Sequence, residues 1–388
     1  MTPTTPGTVD SPRANAESGL PDTMQAVRFF GVGLPLEITA LPRPRARPGW
    51  ALVRVRAAAI CGSDVHIREG HTTVGFTPIT LGHELAGDVV ELSATDQSTG
   101  LCVGDRVFVN PIVGCEACEF CAAGERNFCP GRGLLGIAFD GGMAEYALAP
   151  VRNLTLVPRR SGNARGRAGT ETADAPITYA EIAMIESAGT AHHALRALGA
   201  EPGALILVLG AGGLGLQVVR VATQLGFRAV AVDPSEQARA RAVAAGAVSA
   251  YAPEELDRYV ARQEHLELVA RLGSPLGFAH AVDCVGSEAT LHLALQLLRP
   301  SGSCSVIGIG ATPVQLPDPS VFVRRSLQVR GIYTYTDADI ESVIALVVDG
   351  ELDLSESITV SLPLAEAERA FELFATAEPR PARVVLEL

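Results

Sequence analysis

The chain has 388 residues, a formal net charge of −12 and apolar residues at 47% of its positions. This length accommodates two domains, each with its own core. The acidic charge argues against nucleic acid as a partner, because binding to its backbone requires clustered basic surface. The chain contains no lysine, which excludes Schiff-base chemistry and the P-loop lysine. The longest apolar runs are too short to span a membrane, so we expect no membrane partner.

The N-terminal segment is polar and rich in proline. Residues 1–22 are rich in Pro, Thr and Ser and contain no apolar core, unlike a secretory signal peptide. We therefore predict a disordered leader over residues 1–23. Because no export signal is evident, we expect a cytoplasmic location, where the eight cysteines are better explained by metal binding than by disulfides.

The next part of the chain has the pattern of a β-rich domain. From about residue 25 to residue 150, short apolar segments such as 51–58 and 105–110 are broken by Gly and Pro, which predicts short strands. Residues 159–174 are polar, Gly-rich and without period, which predicts a flexible surface insertion.

Two short motifs in the β-rich part carry residues typical of metal ligands. One strand ends at C-G-S-D-V-H, which contains Cys61 and His66, and G-H-E follows about twenty residues later with His83. A single cysteine or histidine is more often a core residue than a ligand. These motifs therefore need the support of other features before they indicate a metal site.

Four cysteines lie close together in a third motif. Cys115, Cys118, Cys121 and Cys129 follow the spacing C-x2-C-x2-C-x7-C. A short loop with this spacing can fold around one tetrahedral ion and leave no coordination position open, which is typical of a structural zinc site.

The pattern changes again from about residue 202 to residue 331. Uninterrupted apolar runs alternate with helical patterns, which predicts a parallel sheet covered on both faces. The predicted strands are 204–210, 229–233, 279–285 and 303–308, and the predicted helices are 213–225, 235–245, 254–272 and 288–298. Residues 358–388 predict a strand, a helix and a further strand that return to the first domain.

A glycine-rich loop follows the first of these strands. G-A-G-G-L-G, with Gly210, Gly212 and Gly215, opens the next helix, and Asp233 ends the following strand. In this context the motif is the dinucleotide-binding fingerprint, with the pyrophosphate on the helix N-terminus. Asp233 favours NAD over NADP, although Arg239 and Arg241 in the following helix keep NADP open as an alternative. The expected cofactor-binding residues of the loop are Gly210, Gly212, Gly213, Leu214 and Gly215.

Taken together, these motifs resemble those of the zinc-dependent medium-chain alcohol and polyol dehydrogenases. The resemblance extends over residues 24–388. It implies a mainly β GroES-like catalytic domain over 24–185, with 332–388 returning to it, and a doubly wound Rossmann NAD-binding domain over 186–331. The motifs that carry it are C-G-S-D-V-H at 61–66, G-H-E-L-A-G at 82–87, the four-cysteine loop, G-A-G-G-L-G at 210–215 and V-D-C-V-G at 282–286.

The resemblance implies a second, catalytic zinc. By position, Cys61 and His83 are two of its ligands and Glu186 is the third, as in the sorbitol and threonine dehydrogenases; an exposed interdomain carboxylate is the alternative for Glu186. Glu84 resembles a second carboxylate that sits beside the zinc and can enter its coordination sphere. Asp64 resembles the acceptor that orients the ligand histidine.

The resemblance also assigns a proton path and further cofactor contacts. Ser63 and His66 match a relay that passes the alcohol proton through the cofactor ribose to solvent; a helix cap for Ser63 and a surface role for His66 are the alternatives. Thr190 matches a residue that packs on the nicotinamide ring. Arg383 matches a residue that reaches the pyrophosphate.

The expected function is oxidoreduction with two zinc ions per chain and NAD. The substrate is a small-molecule secondary alcohol, a polyol or the matching carbonyl, and the Glu186 assignment favours the polyol. Residues 134–146 also resemble simple archaeal alcohol dehydrogenases. One alternative is a biosynthetic ketone or iminium reductase, possibly with NADPH, and another is a cofactor-binding protein that has lost catalysis. Relatives suggest a homo-oligomer, a tetramer or a dimer. Cys102, Cys284 and Cys304 are expected to be small core residues on strands.

Overall fold

The computed structural model describes residues 19–158 and 176–388. Most of the predicted leader and the whole of the predicted insertion at 159–174 lie outside the described residues.

The first half of the chain forms antiparallel sheets around one long strand. Its elements are β1 (Thr23–Phe29), β2 (Glu37–Pro42), β3 (Trp50–Ile60), α1 (Gly62–Arg68), β4 (Ile79–Thr80), β5 (Glu84–Glu91), β6 (Arg106–Val109), β7 (Ile112–Val113), α2 (Glu119–Ala122), β8 (Gly133–Leu134), β9 (Tyr146–Pro150), β10 (Leu154–Leu156), α3 (Tyr179–Ala183) and α4 (Ile185–Arg196). Strand β3 is buried along most of its length. It pairs antiparallel with β5 and also with β9.

The second half forms a parallel sheet and then returns to the first. Its elements are β11 (Leu205–Leu209), α5 (Gly213–Gln224), β12 (Arg228–Val232), α6 (Glu236–Ala244), β13 (Ser249–Tyr251), α7 (Pro253–Ala261), α8 (His265–Arg271), β14 (Phe278–Asp283), α9 (Glu288–Leu297), β15 (Leu298–Val306), α10 (Pro319–Arg325), β16 (Gln328–Gly331), α11 (Asp337–Val348), β17 (Val360–Pro363), α12 (Ala367–Thr376) and β18 (Val384–Glu387).

The parallel sheet has the strand order β13-β12-β11-β14-β15-β16. All five residues of β11 are buried, and they alternate between two cores. Ile206 and Val208 pack in the core that includes α4, α5 and α11, whereas Leu205 and Leu207 pack in the core that includes α8 and α9. Because side chains alternate along a strand, helices on both faces require the uninterrupted apolar run that the sequence shows.

The C-terminal strands pair with the first half of the chain. Strand β18 pairs antiparallel with β3, with Val384 opposite Ile60, and β17 pairs parallel with β18. The end of β3 leads directly into the C-G-S-D-V-H motif, so this pairing brings the residues just before β18 to the same place. The C-terminal strands are therefore part of the architecture that positions the site.

Some local predictions differ from the structure. The single helix predicted over 254–272 is two helices, α7 and α8, separated at Gln263, whose φ of 59° ends the first helix. The prediction for the three non-motif cysteines holds only for Cys304, which is buried on β15. Cys102 is exposed outside the strands, and Cys284 is half-buried just after β14.

In the parts of the chain that the structure describes, no helix combines the length and the apolar character needed to cross a bilayer.

Candidate active site

A cleft of about 1570 Å³ runs between the antiparallel sheets and the parallel sheet. At one end it is lined by Cys61, Ser63 and His66, and further along by the glycine loop and Asp233. The cleft thus joins the residues expected at a metal to those expected at a dinucleotide. The carboxyl ends of the parallel strands face it, which is where ligands bind in sheets of this kind.

Cys61 and His83 are placed by two tight backbone turns. Cys61 follows β3 and is the N-cap of α1, where the Asp64 carboxylate accepts a hydrogen bond of 2.9 Å from the Cys61 N–H. His83 follows Gly82, whose φ is +94°, and a Cβ on Gly82 would lie 2.8 Å from the Met143 side chain. Only glycine satisfies both conditions, so this residue fixes where His83 enters β5.

Cys61, His83 and Glu84 form one cluster of possible ligands. Their ligand atoms all lie within 4.8 Å of one another, and His83 and Glu84 are buried. A thiolate, an imidazole and a carboxylate are a donor set that zinc accepts, and three protein ligands leave one position for substrate. The cluster therefore fits a catalytic zinc.

Asp64 lies behind His83. The buried Asp64 Oδ1 and His83 Nδ1 are 3.7 Å apart and neither has a hydrogen-bond partner. Burial acts to lower the pKa of His83, but the negative charge of Asp64 outweighs it and holds the pKa well above its usual value. Asp64 thus faces Nδ1, which leaves Nε2 for the side of Cys61 and Glu84.

Glu84 and Arg383 form a buried ion pair. Arg383 Nη1 donates to both Glu84 oxygens, at 2.8 and 3.1 Å, and Arg383 is 2% exposed. The same arginine reaches the glycine loop, because a Cβ on Gly213 would lie 2.8 Å from Arg383 Nε. Arg383 therefore lies between the zinc cluster and the expected pyrophosphate position, with its charge directed at Glu84.

Glu186 lies near this cluster but is not part of it. It is buried in the first turn of α4, and its ligand atoms fall outside the group formed by Cys61, His83 and Glu84. Burial and the charge of Glu84 raise the pKa of Glu186 to about 7. The distances favour Glu84 as the third ligand in this arrangement, and the assignment of Glu186 stays a prediction.

Ser63 and His66 line the cleft one turn apart on α1. Ser63 Oγ is 3.4 Å from His83 Nε2, which is the side of the imidazole that faces the cluster. His66 lies against His71, with ring centroids 5.7 Å apart. Both relay residues are thus in contact with the same open space.

The glycine loop connects β11 to α5 with very little room. Gly210 has a φ of +83°, and a Cβ on Gly215 would lie 1.7 Å from the Gly210 carbonyl oxygen. Gly212 has nothing within 4 Å of an added Cβ, so its backbone is open to a ligand. The loop residues that line the cleft are Gly210, Gly212, Gly213 and Leu214, while Gly215 lies beneath them.

Asp233 follows β12 at the far end of the cleft. Its carboxylate accepts hydrogen bonds from Ala211 N at 2.8 Å and Ser235 N at 2.9 Å. Of the two arginines that keep NADP open, Arg241 lines the cleft and donates through Nη2 to the Arg380 carbonyl oxygen at 3.1 Å. Arg239 donates through Nη1 to the carbonyl oxygens of Asp233 and Pro234, at 2.7 and 2.8 Å. Its guanidinium is engaged by the backbone, which supports a position for ribose hydroxyls beside Asp233.

The four cysteines form the second cluster. Their sulfur atoms all lie within 4.8 Å of one another, compatible with the separation of about 3.8 Å that Zn–S bonds of about 2.3 Å give in a tetrahedron. A hydrogen bond from the Ala117 backbone, followed by one from Cys129, lowers the pKa of Cys115 to about 6, whereas burial raises the pKa of Cys121 to about 12, so Cys115 is the thiol of the pair that ionises first. A thiolate at neutral pH is the form that binds zinc, so the cluster fits a closed zinc site.

Some residues near the site either differ from what the resemblance implies or could not be inferred from the motifs. Thr190, half-buried one turn after Glu186, is not among the residues that line the cleft. Neighbouring residues on a helix point in different directions, yet His192 and His193 both place Nδ1 2.8 Å from the carboxylate of Asp339. Tyr335 packs against α4, where a Cβ on Gly189 would lie 3.1 Å from its ring. The capping pattern T-D-A-D marks Thr336 as a helix start, but no local signal links this segment to α4.

A parallel sheet with a dinucleotide loop, joined by one cleft to a Cys-His-Glu cluster, defines a metal-dependent dehydrogenase. Comparisons with known proteins support this class. Residues 47–159 match the family model described as alcohol dehydrogenase GroES-like domain, and residues 213–349 match the model described as zinc-binding dehydrogenase.

Individual relatives cover most of the chain. An NAD-dependent alcohol dehydrogenase of Saccharolobus solfataricus is 30% identical over 90% of this chain and 96% of its own length. The “Probable D-xylulose reductase A” of Aspergillus terreus is 30% identical over 84% of this chain and 87% of its own. The solved structure of a cobalt- and zinc-bound thermostable alcohol dehydrogenase from Pyrobaculum aerophilum has a TM-score of 0.77 at 26% identity and covers 94% of this chain and 100% of that chain.

The chain belongs to the zinc-dependent medium-chain alcohol and polyol dehydrogenase family. The predicted fold class, a GroES-like domain combined with a Rossmann domain, is confirmed. The protein is an enzyme, a zinc-dependent and NAD(P)-linked alcohol dehydrogenase.

Proposed function

We propose that this enzyme oxidises a small secondary alcohol or polyol with NAD, and reduces the matching ketone in reverse. The observation that carries the proposal is the single cleft lined both by Cys61, Ser63 and His66 and by the glycine loop. The relatives, an NAD-dependent alcohol dehydrogenase and a probable D-xylulose reductase, favour this reaction over the alternative of a ketone or iminium reductase.

The residues of the cleft have separate roles around zinc and NAD. Bound zinc supplies a Lewis acid for the substrate oxygen, and bound NAD accepts the hydride from the carbinol carbon. Ser63 relays the proton of the substrate hydroxyl: its Oγ, which lies 3.4 Å from His83 Nε2 on the open side of the cluster, accepts this proton while its own hydroxyl proton moves on toward His66. His66 passes this proton to solvent at the mouth of the cleft, a role suited to histidine.

Two zinc ions per chain fit the two clusters, and two carboxylates compete for one ligand position. Glu84 belongs to the cluster of Cys61 and His83, whereas Glu186 is a buried neighbour. We infer that Glu84 is the third ligand and that Glu186 completes the polar wall beside it. Thr190 is proposed to lie at the nicotinamide end of the NAD site. Arg383 is proposed to lie at its pyrophosphate end.

The test combines turnover with metal content. Wild type is expected to hold two zincs per chain and to oxidise polyols or secondary alcohols from a panel, with a higher kcat/KM for NAD than for NADP. Glu84→Gln is expected to lose one zinc and the activity. Glu186→Gln is expected to keep both zincs and to lower kcat by about tenfold or more, in the range seen for residues adjacent to metal ligands.

The matched pair of carboxamide variants separates the outcomes. Loss of zinc from Glu186→Gln but not from Glu84→Gln would restore Glu186 as the ligand. One zinc in wild type, with no turnover of any alcohol by NAD or NADP, would contradict the proposed function itself.

We also propose a homo-oligomer that assembles through the outer edge of the parallel sheet. Strand β16 ends the sheet, and all four of its residues are exposed. Val323 and Leu316, 77% and 62% exposed, lie in the segments that flank it. A cytoplasmic location is proposed as well, since all eight cysteines are free, as expected in a reducing compartment.

A further inference from the structure

We propose that Asp140 is a positioning residue for the proposed zinc ligand His83 and acts through an ion pair with Arg28. Arg28, Thr80 and Asp140 are here called the clamp. Asp140 is not among the residues that line the cleft, and its side chain is 53% exposed. The proposal rests on the zinc site of the proposed function, but it concerns metal retention and therefore does not depend on which alcohol is the substrate.

The clamp joins three segments of the chain. Arg28 lies on β1, Thr80 on β4 and Asp140 in the loop of residues 135–143 that follows β8. Arg28 Nη1 donates to Asp140 Oδ1 at 2.6 Å and to Thr80 Oγ1 at 3.0 Å. The Thr80 N–H donates to the same Asp140 oxygen at 2.8 Å. One carboxylate oxygen therefore binds both a buried cation and the backbone of the strand that leads to His83.

The loop also holds the backbone that leads to His83. Its N–H groups donate to three consecutive carbonyl oxygens, in the pairs Gly141 to Thr80 at 2.8 Å, Met143 to Leu81 at 3.0 Å and Gly142 to Gly82 at 2.8 Å. Strand β4 pairs antiparallel with β1, where Arg28 lies opposite Thr80. The backbone just before His83 is therefore supported by both β1 and the loop, and the ion pair joins these two supports directly.

The contact between the loop and Gly82 leaves no space for a shift. A Cβ on Gly141 would lie 2.3 Å from the Gly82 carbonyl oxygen, and a Cβ on Gly136 would lie 2.9 Å from the Gly82 nitrogen. His83 follows directly and is 6% exposed. Because the two backbones are in contact and the imidazole is buried, a displaced loop moves His83 relative to Cys61. Substitution of groups that orient a metal ligand typically costs about 10–100-fold in metal affinity.

A second ion pair lies at the far end of β5 and serves as a comparison. Strand β5 begins at Glu84, directly after His83, and ends at Glu91, about 20 Å along the strand. Glu91 accepts from Arg43 Nη1 at 2.6 Å and from the Ala46 N–H at 3.1 Å. As in the clamp, the arginine is buried and the carboxylate also binds a backbone N–H, but this pair is distant from the cluster.

The test weakens the clamp without touching the cluster. Asp140→Ala removes both bonds of the carboxylate, whereas Asp140→Asn removes its charge and keeps an oxygen for the Thr80 N–H. Glu91→Gln is the matched control. Zinc per chain is measured after dialysis against a chelator, with titration of exposed thiols and urea denaturation of each variant. Loss of the Cys61 zinc exposes one further thiol, and loss of the four-cysteine zinc exposes four.

We expect Asp140→Ala to release the Cys61 zinc about tenfold more readily than wild type, at the lower end of the effects seen for groups that orient metal ligands. In the zinc-saturated enzyme it should lower kcat with little change in KM, because a displaced ligand weakens stabilisation made only in the transition state. Asp140→Asn should release less zinc than Asp140→Ala, because the backbone bond remains. If Asp140→Ala does not fold, Asp140→Asn carries the test with the same direction of change. Glu91→Gln should keep wild-type zinc retention, even where it lowers the urea midpoint as much as Asp140→Asn does.

Two results would overturn the proposal. In one, Asp140→Ala keeps the Cys61 zinc as firmly as wild type and only lowers the urea midpoint, so that the ion pair stabilises the fold alone. In the other, Glu91→Gln releases the Cys61 zinc as readily as Asp140→Asn does, so that zinc retention follows overall stability. Zinc retention is measured without substrate, so a wild type that oxidises no alcohol would contradict the proposed function and not the role of the clamp.

Discussion

Glu186 has a buried carboxyl whose ionisation is opposed both by burial and by the negative charge of Glu84. Without metal, burial and the charge of Glu84 raise its pKa from 4.5 to about 7. A carboxyl with a raised folded-state pKa stabilises the fold below its unfolded pKa, and this stability is lost as pH rises through the folded value. The relevant window is therefore pH 4.5 to about 7.

We expect the zinc-free enzyme to lose about 3 kcal/mol of unfolding free energy across this window through Glu186 alone. The measurement is urea denaturation of chelator-treated wild type and Glu186→Gln at pH 5 and pH 8. Glutamine has the same shape and no titration, so it serves as the matched control. Equal pH dependence in the two proteins would show that Glu186 is already ionised at pH 5 and that its burial has been compensated.

Residues of the site differ in how well the sequence predicts them. Cys61, His83 and the four cysteines are recognisable because metal binding requires particular donor atoms at short spacings. The choice between Glu84 and Glu186 is set by distances of a few ångströms, which no spacing specifies. Tyr335 is about 150 residues from Glu186 in sequence, and only the packing of α11 on α4 brings them together.

Helix α4 is held to the beginning of α11 by one buried carboxylate. Asp339 is 0% exposed, and burial acts to raise its pKa, but hydrogen bonds from His192, His193 and Thr336 outweigh burial and hold the pKa well below its usual value. On α4, Asp339 contacts His192 Nδ1 at 2.8 Å, His193 Nδ1 at 2.8 Å and Arg196 Nη1 at 3.1 Å. One side chain thus fixes the last turns of the helix whose first turn carries Glu186.

Asp339→Ala should lower the unfolding free energy by about 3–5 kcal/mol, because it removes the acceptor shared by the His192 and His193 rings and the Thr336 cap, and each buried group left unsatisfied costs about 1–3 kcal/mol. Urea denaturation measures the change. The matched control is Asp349→Ala, at the exposed end of the same helix, with an expected effect within about 0.5 kcal/mol. Similar effects of the two substitutions would mean that the histidines and Arg196 find other partners.

At the scale of elements, local sequence patterns predict that a helix or strand is present better than they predict where it begins and ends. The helix predicted over 254–272 has an apolar period on both sides of Gln263, and the period continues while the backbone turns. The aromatic and aliphatic residues of β3 predict a strand, but its partners β5, β9 and β18 come from distant parts of the chain. Pairing over such distances is a property of the whole fold.

At the scale of the whole molecule, the parallel sheet has two unlike edges. Strand β13 is half-buried, whereas every residue of β16 is exposed. Unpaired backbone at an exposed edge is a template for another strand, and the same strand of a second copy can pair with it antiparallel about a two-fold axis. Strand–helix alternation predicts a parallel sheet but not the full order of its strands. No local sequence pattern distinguishes which edge of the sheet stays uncovered.

Assembly through β16 predicts a specific sensitivity to charge. Val329, 37% exposed on β16, would lie near its own copy across the two-fold axis, so Val329→Arg places like charges close together and opposes pairing. We expect light scattering with size-exclusion chromatography to give half the wild-type mass for this variant. Val248→Arg, at a position 45% exposed beside the opposite edge strand β13, is the matched control and should keep the wild-type mass. A sheet that continues from one copy to the next through β16 cannot accept two arginines at the two-fold axis. An unchanged mass for Val329→Arg would therefore place the interface elsewhere, and so would dissociation by Val248→Arg alone.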